Sequence, residues 1–379
     1  MSYPQALTFD DILLLPGYTD FQRDDIDLST RLTRDISLEI PFISSPMDTV
    51  TESGMAIALG HLGGGGVIHR NLTVDQQAAE VKAVKKAGVL AAAAVGSSPG
   101  YEPRLEALLA AGVEAIVLDS AHGHTQFTID TIKKIKKDHP KLQVIAGSIA
   151  TYEAAVALLE AGADALRVGM GPGSICSTRV ISGMGVPQVT ALQETIRAAK
   201  EHGDVPVIAD GGLKLSGDMA KALALGASSL MMGSFFAAVD ESPGELVMLE
   251  KDQVPSRFQS IIDPDTIQYA FKQYRGMGSI AAMEKGAAIK SESEFHGKTY
   301  KNDAVLVAEG VEGLIPCKGS LKSQIDQAIG GIRSGMYYVG AKDLPTLVAN
   351  ARFVQITAAS LTESHPHDIL MTNPGKNYS

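Results

Sequence analysis

The stretch AGADALRVGMGPGSICSTRVISGMGVPQ, residues 161–188, decides the reading of this chain. Its first nine residues run from a helix end through Gly162 into a short apolar run, Ala165–Gly169. The same design recurs as AGVEAIVLD at 111–119 and LGASSLMMG at 225–233. A glycine after a helix and a strand of small apolar residues after the glycine is the signature of an αβ junction. Working outward, eight such runs appear: Pro41–Ser44, Gly65–His69, Leu90–Val95, Ala115–Asp119, Gln143–Gly147, Ala165–Gly169, Pro206–Asp210 and Ser228–Gly233. Their centres lie about 22 to 28 residues apart, with one interval of about 40, which suits a strand, a helix and two short loops. Helical spacing of apolar residues marks Asp75–Ala87, Pro103–Ala111, Thr128–His139, Tyr152–Ala161, Ala191–Glu201 and Gly217–Ala224. Eight βα units predict an α/β fold, a (β/α)8 barrel. A doubly wound open sheet is the alternative, weakened because no GxGxxG follows the first strand.

The long interval follows strand 6 and contains the rest of the opening stretch. It holds Cys176 among Gly169, Gly171, Gly173, Gly183 and Gly185, next to Ser174, Ser177, Thr178 and Arg179. Barrel catalysis is carried by loops at strand C-termini. A lone thiol in a polar, glycine-rich loop there reads as a nucleophile; a buried structural cysteine is the competing reading. Phosphate sites in barrels commonly use the loops after strands 7 and 8. Here those loops are Asp210-Gly211-Gly212 and Gly233-Ser234, with Ser174 nearby after strand 6. Asp119 and Asp210 close strands at the catalytic end, where a carboxylate can accept from ribose hydroxyls or cap a helix. His122 and His124 lack a third ligand at metal-site spacing. Cys317, in GLIPCKGS, has no glycine cradle and reads as structural.

The chain has 379 residues, a formal charge of −10 and two cysteines. The acidic balance argues against nucleic acid as a partner. Two cysteines give no disulfide framework. With no signal-peptide pattern and no spanning apolar run, a cytoplasmic protein without membrane partners is expected. Residues 1 to about 35 read as irregular, 243–268 as a small excursion, and 320–360 as a return to helix and strand.

Ten motifs in order, LTFDDILLLPG (7–17), SSPMDTVTE (44–52), LDSAHGH (118–124), GPGSICSTR (171–179), GVPQ (185–188), ADGG (209–212), MMGS (231–234), YRGMGS (274–279), EGVEG (309–313) and ESHPHD (363–368), resemble the inosine-5′-monophosphate dehydrogenase family, within the group that includes guanosine-monophosphate reductase. The resemblance implies one catalytic domain over 1–379, with a Cys loop at about 169–188, a flap at about 283–308 and a tail at about 361–379. It implies NAD-dependent oxidation of IMP to XMP through a Cys176 thioimidate, with Thr178 and Tyr300 as further catalytic candidates. Ser45, Met47, Ser174, Asp210, Gly211, Gly212, Gly233, Ser234, Tyr274, Met277, Gly278 and Glu309 are implied substrate contacts. Asp119, Ser120, Gly169 and Gly171 are implied at the cofactor NAD. Gly171, Gly173 and Cys176, with Glu363, Ser364 and His365 of a tail, are implied at a monovalent cation, K+, in a homotetramer.

Three departures stand out. Strand 2 leads directly into one helix, so the family's inserted regulatory pair of cystathionine-β-synthase-like (CBS) modules is absent. No arginine lies between Met283 and Glu309, where the family dehydrogenase has an Arg-Tyr dyad that activates water. Ser148 stands where asparagine is usual. The second departure keeps two alternatives open: an NADPH-dependent GMP reductase, and a nucleotide-binding paralogue with weak hydrolysis.

Overall fold

The eight runs form a ring. In the computed structural model, which describes residues 3–262, 266–289 and 307–369, the strands are β1 (Phe42–Ser44), β2 (Gly65–Ile68), β3 (Ala91–Val95), β4 (Ala115–Asp119), β5 (Gln143–Ile149), β6 (Ala165–Val168), β7 (Val207–Asp210) and β8 (Ser229–Met232). They pair in parallel, each with its neighbour, and β8 closes on β1. The expected (β/α)8 barrel is the observed fold. The helices between strands are α1 (Ser53–His61), α2 (Val74–Lys86), α3 (Glu102–Ala111), α4 (Gln126–Asp138), α5 (Tyr152–Glu160), α6 (Gln188–Glu201) and α7 (Ser216–Leu225). β2 reaches α2 through residues 69–73 alone, so no module is inserted there. Sequence periodicity did not mark α1. Its residues, SGMAIALGH, are small or apolar on every side and leave no polar stripe to set a period.

Strand alternation explains both core and site. Side chains of a strand point to opposite faces in turn. Ala115 and Val117, Ala165, and Ile208 pack into the barrel interior. The next inward positions are therefore Asp119, Arg167 and Asp210, at the C-terminal mouth. The outward set, including Ile116, Leu118, Leu166 and Val168, packs against the helices. At the other end the interior cluster includes Leu32 and Leu38, carried by the hairpin Thr30–Arg31/Ser37–Leu38. This hairpin thus plugs the barrel floor, and burying each leucine contributes about 1.5–3 kcal/mol. Ile12–Leu14 also pairs with Phe353–Gln355 near the other end of the chain.

The excursion is more ordered than the sequence suggested. β9 (Leu246–Glu250), β10 (Gln268–Arg275) and β11 (Glu312–Pro316) form an antiparallel sheet with β10 in the centre. Helix α8 (Ile280–Ile289) follows β10, so the described start of the expected flap is helical. Tyr300 and the expected flap from 290 to 306 lie outside the described residues. Helix α9 (Leu321–Val339) then packs on α7 and completes the outer layer. Among the described residues, no helix is long and apolar enough to cross a membrane.

Candidate active site

The Cys loop is held by its own arginine. Arg179 sits between the ends of the loop, its Nη2 donating to the Val186 carbonyl at 2.7 Å and to the Met170 carbonyl at 3.2 Å. Its Nε also donates to Met170, at 3.3 Å. The stem passes between Gly171 and Gly185. A Cβ on either glycine would lie 2.6 Å from Arg179 Cγ. Glycine is required there because the stem occupies the place of a side chain. Arg179 therefore belongs to the base of the loop and not to the thiol, against the grouping the sequence invited.

The thiol itself is exposed at the mouth. Cys176 Sγ lies 3.2 Å from Thr178 Oγ1 and 3.8 Å from the Glu309 carbonyl. Two strand-like contacts fix the backbone around it. Ser177 N–H donates to Glu309 and Val311 N–H donates to Ile175. Glu309 N–H in turn donates to the Gly278 carbonyl, and Gly276 N–H to Val311. The YRGMGS turn, carrying half-buried Met277, and the EGVEG segment thus flank Cys176 on one side.

On the other side lies a cluster of hydroxyls and N–H groups. The buried Tyr274 hydroxyl lies beside the Ser174 side chain and the Ser234 backbone. A Cβ on Gly233 would collide with that hydroxyl and lie 3.0 Å from Met47 Sδ. Burial, with Asp210 and Cys176 adding to it, pushes the Tyr274 phenol well up, so it stays a neutral donor. Gly211 and Gly212 turn at φ 82° and 76° and pack on Pro172 of the Cys loop. These left-handed conformations suit glycine. Ser45, buried at the end of β1, anchors Met47 through its carbonyl and donates its own N–H to Met232. Ser174, Gly211, Gly212, Gly233, Ser234, Tyr274, Met47 and Cys176 are therefore neighbours.

The charged floor of this mouth was not legible in the sequence. Arg167 bridges Asp210, at 2.6 Å from Nε, and Asp119, at 2.7 Å from Nη1. Arg70 Nε meets the other Asp119 oxygen at 3.4 Å. Burial opposes the charge on Asp119, but two arginines outweigh it and hold its carboxyl below the usual range. Burial and the Asp119 charge outweigh Arg167 at Asp210 and push that carboxyl up. The only hint was alternation: Arg167 shares the inward parity of Ala165. Gly147 lies directly against Arg167, and the Gly147–Ser148 peptide is cis. Ser148 is buried, its N–H donating to Ser120 and its carbonyl accepting from Gly123.

The remaining expected residues are less concentrated. Ser120 Oγ donates to the His122 carbonyl. Gly169 lies so close to Asp210 that a Cβ would strike its carbonyl. The Gly173 carbonyl accepts the Cys176 N–H at 3.1 Å, while no backbone N–H among the described residues bonds the Gly171 or Cys176 carbonyl. Glu363 ends the exposed helix Ala358–Glu363; Ser364 bonds Ser360, and His365 N–H donates to Thr362. No group of three or more His, Cys, Asp or Glu side chains suited to a metal occurs among the described residues. Cys317 is half-buried, 3.3 Å from Asp240; burial pushes its thiol up.

Comparison with known proteins agrees with this arrangement. The family model of the IMP dehydrogenase / GMP reductase domain matches residues 6–367. The inosine-5′-monophosphate dehydrogenase of Chlorobaculum tepidum is 36% identical over 506 aligned positions, covering 99% of this chain and 98% of that protein. That of Borreliella burgdorferi is 40% identical over 415 positions, covering 96% and 97%. That of Cryptosporidium parvum is 39% identical over 418 positions, covering 99% and 98%. The 506 positions exceed the 379 residues here, so the Chlorobaculum protein carries a long insertion that this chain and the other two do without. The chain belongs to the IMP dehydrogenase / GMP reductase family.

Proposed function

We propose that this protein is an oxidoreductase that oxidises IMP to XMP with NAD, in guanine nucleotide synthesis, through a covalent intermediate on Cys176. The observation that carries the reading is the convergence of an exposed thiol with the Ser174 and Tyr274 hydroxyls and the Ser234 backbone N–H on one barrel mouth. A phosphate held by that cluster and by Gly211, Gly212 and Gly233 N–H groups would leave the nucleoside spanning the mouth toward Cys176. Asp210 faces the mouth and would accept from the ribose hydroxyls. Met277, Gly278 and Glu309 would line the purine.

In the reaction, Cys176 loses its proton and adds to C2 of the purine, forming the C–S bond. C2 then loses hydride, which leaves a thioimidate. NAD, when bound, supplies the hydride acceptor. Water next adds to C2, the C–S bond breaks, and the thiol regains a proton as XMP leaves. Asp119 and Ser120 would hold the riboside of NAD; the ionised, partly accessible Asp119 carboxylate suits hydroxyl donors. Gly169 and Gly171 would offer surfaces without a side chain. The carbonyls of Gly171, Gly173 and Cys176 would hold K+, consistent with the two that have no N–H partner. Glu363, Ser364 and His365 would complete that site from a neighbouring subunit of a homotetramer.

The water-activating step lacks the family's arginine. Thr178, in contact with the thiol, Tyr300 and a lysine of the flap are the candidates for it here. The same absence favours a second reading, a reductase that releases ammonia from GMP and takes hydride from NADPH, since that chemistry needs no hydrolytic water. A paralogue with weak hydrolysis would instead accumulate the thioimidate. Purified protein is assayed with IMP, NAD and K+, and in parallel with GMP and NADPH. NADH formation only in the first supports the proposal; turnover only in the second refutes it. An adduct on Cys176 without turnover assigns the paralogue.

A further inference from the structure

Asp48 lies in SSPMDTVTE one residue beyond Met47, and its side chain is fully buried. It is gripped by three other segments. Arg275 of β10 closes a two-toothed ion pair on it, Nε to Oδ1 at 3.0 Å and Nη2 to Oδ2 at 2.5 Å. Asn71, from the loop after β2, donates to Oδ2 at 2.9 Å. The same Asn71 amide donates to the Ala282 carbonyl of α8, and Lys285 of α8 lies 3.8 Å from Oδ2. The neighbouring Thr49 hydroxyl accepts the Arg275 N–H at 3.3 Å. Asn71 Oδ1 is buried and has no hydrogen-bond partner among the described residues.

A buried ion pair is weak evidence for stability, because desolvation offsets much of the attraction. What it does provide is directional: a planar guanidinium fixed by two parallel bonds allows one orientation of the backbone that bears it. That backbone bears Tyr274 as the next residue. Tyr274 is buried against the core and paired with Gly313 in the β10–β11 ladder, and Arg275, the last residue of β10, fixes the end of that strand from which its hydroxyl reaches Ser174 and Ser234.

We propose that Asp48 is a positioning residue which, through Arg275, holds Tyr274 in the anion cradle. The inference rests on reading Ser174, Ser234 and Tyr274 as the phosphate cradle. Its consequence is a fault in nucleotide affinity rather than in the chemistry at Cys176, since no member of the Asp48 cluster touches the thiol.

The test is a pair of substitutions and their combination in the full-length protein: Asp48→Asn, Tyr274→Phe and the double variant. KM for IMP and kcat are measured at saturating NAD. Asp48→Asn is expected to raise KM about tenfold while kcat stays within about threefold. In the Tyr274→Phe background the same change should add less than about twofold, because the group it acts through is already gone. An undiminished effect in that background overturns the proposal, as does a loss confined to kcat or no loss at all. Should Asp48→Asn fail to fold, Arg275→Gln replaces it in the same cycle. A binding readout accompanies both: protection of Cys176 from iodoacetamide by nucleotide. Protection of the wild type by GMP and not IMP would refute the dehydrogenase reading, and the cycle is then read with GMP. Protection by neither would refute the cradle and the positioning role together.

Discussion

Replacing Arg179 by alanine tests whether the Cys loop is shaped by its own side chain. The guanidinium makes three contacts to two carbonyls at opposite ends of the loop, between 2.7 and 3.3 Å. A hydrogen bond from a charged donor contributes about 1.5–3 kcal/mol when its loss leaves the acceptor unpaired. Met170 is buried, so its carbonyl is the less able to find water. The Val186 end is only half-buried, and water replaces much of what is lost there. A net loss of about 2 kcal/mol for the closed loop follows, equivalent to about 30-fold in the population that presents Cys176 correctly. The barrel beneath does not depend on these bonds, so global melting should barely move. Two assays check this: kcat/KM for IMP, and limited cleavage by thermolysin, for which Val180 and Ile181, 85% and 50% exposed, are ready targets. The variant should lose about 30-fold in kcat/KM and be cut faster in the loop. Wild-type rates together with wild-type resistance would refute the reasoning, since the clasp would then hold nothing that matters.

Other consequences are equally direct. Gly171→Ala places a Cβ 2.6 Å from Arg179 Cγ and should mimic Arg179→Ala in thermolysin sensitivity. Arg167→Leu leaves Asp119 and Asp210 facing each other at the barrel mouth without their shared cation; thermal or denaturant unfolding should show a loss of about 3–5 kcal/mol. Asp48 is held below its ordinary carboxyl range because Arg275 and Asn71 outweigh burial; Glu52 is lowered first by its hydrogen bond to His69. A lowered folded pKa gives stability that is present above the unfolded value and lost as pH falls through the folded one. Melting temperature should therefore drop below about pH 4, and the Asp48→Asn protein should show a shallower drop. Cys317→Ser should leave turnover unchanged, because that thiol meets Asp240 and none of the residues placed at the mouth.

How far the sequence carries can be judged from single elements. The barrel was legible because each βα unit repeats one local pattern, seen in AGVEAIVLD, AGADALRVG and LGASSLMMG. Helix α1 was not, because a helix apolar on every side has no periodic signal. The pairing of Ile12–Leu14 with Phe353–Gln355 has no local mark at all. In the site, Cys176, Ser174 and the paired glycines after β7 were readable as motifs. The ion pairs of Arg167 and of Asp48 with Arg275 were not, since each joins strands or loops whose contact exists only once the barrel closes. Arg179 was visible only as a neighbour of Cys176 in the sequence; its role depends on two glycines, at 171 and 185, whose shared purpose is apparent only in three dimensions.

The central claim is that Cys176 becomes covalently joined to C2 of IMP and that NADH appears as it does so. Rapid mixing with IMP, NAD and K+, followed by acid quench and intact-mass analysis alongside the NADH absorbance, measures both events at once. A nucleotide adduct on Cys176 forming with a stoichiometric burst of NADH, and neither signal in the Cys176→Ala protein, is the predicted result. NADH without an adduct, or an undiminished burst from Cys176→Ala, would contradict it.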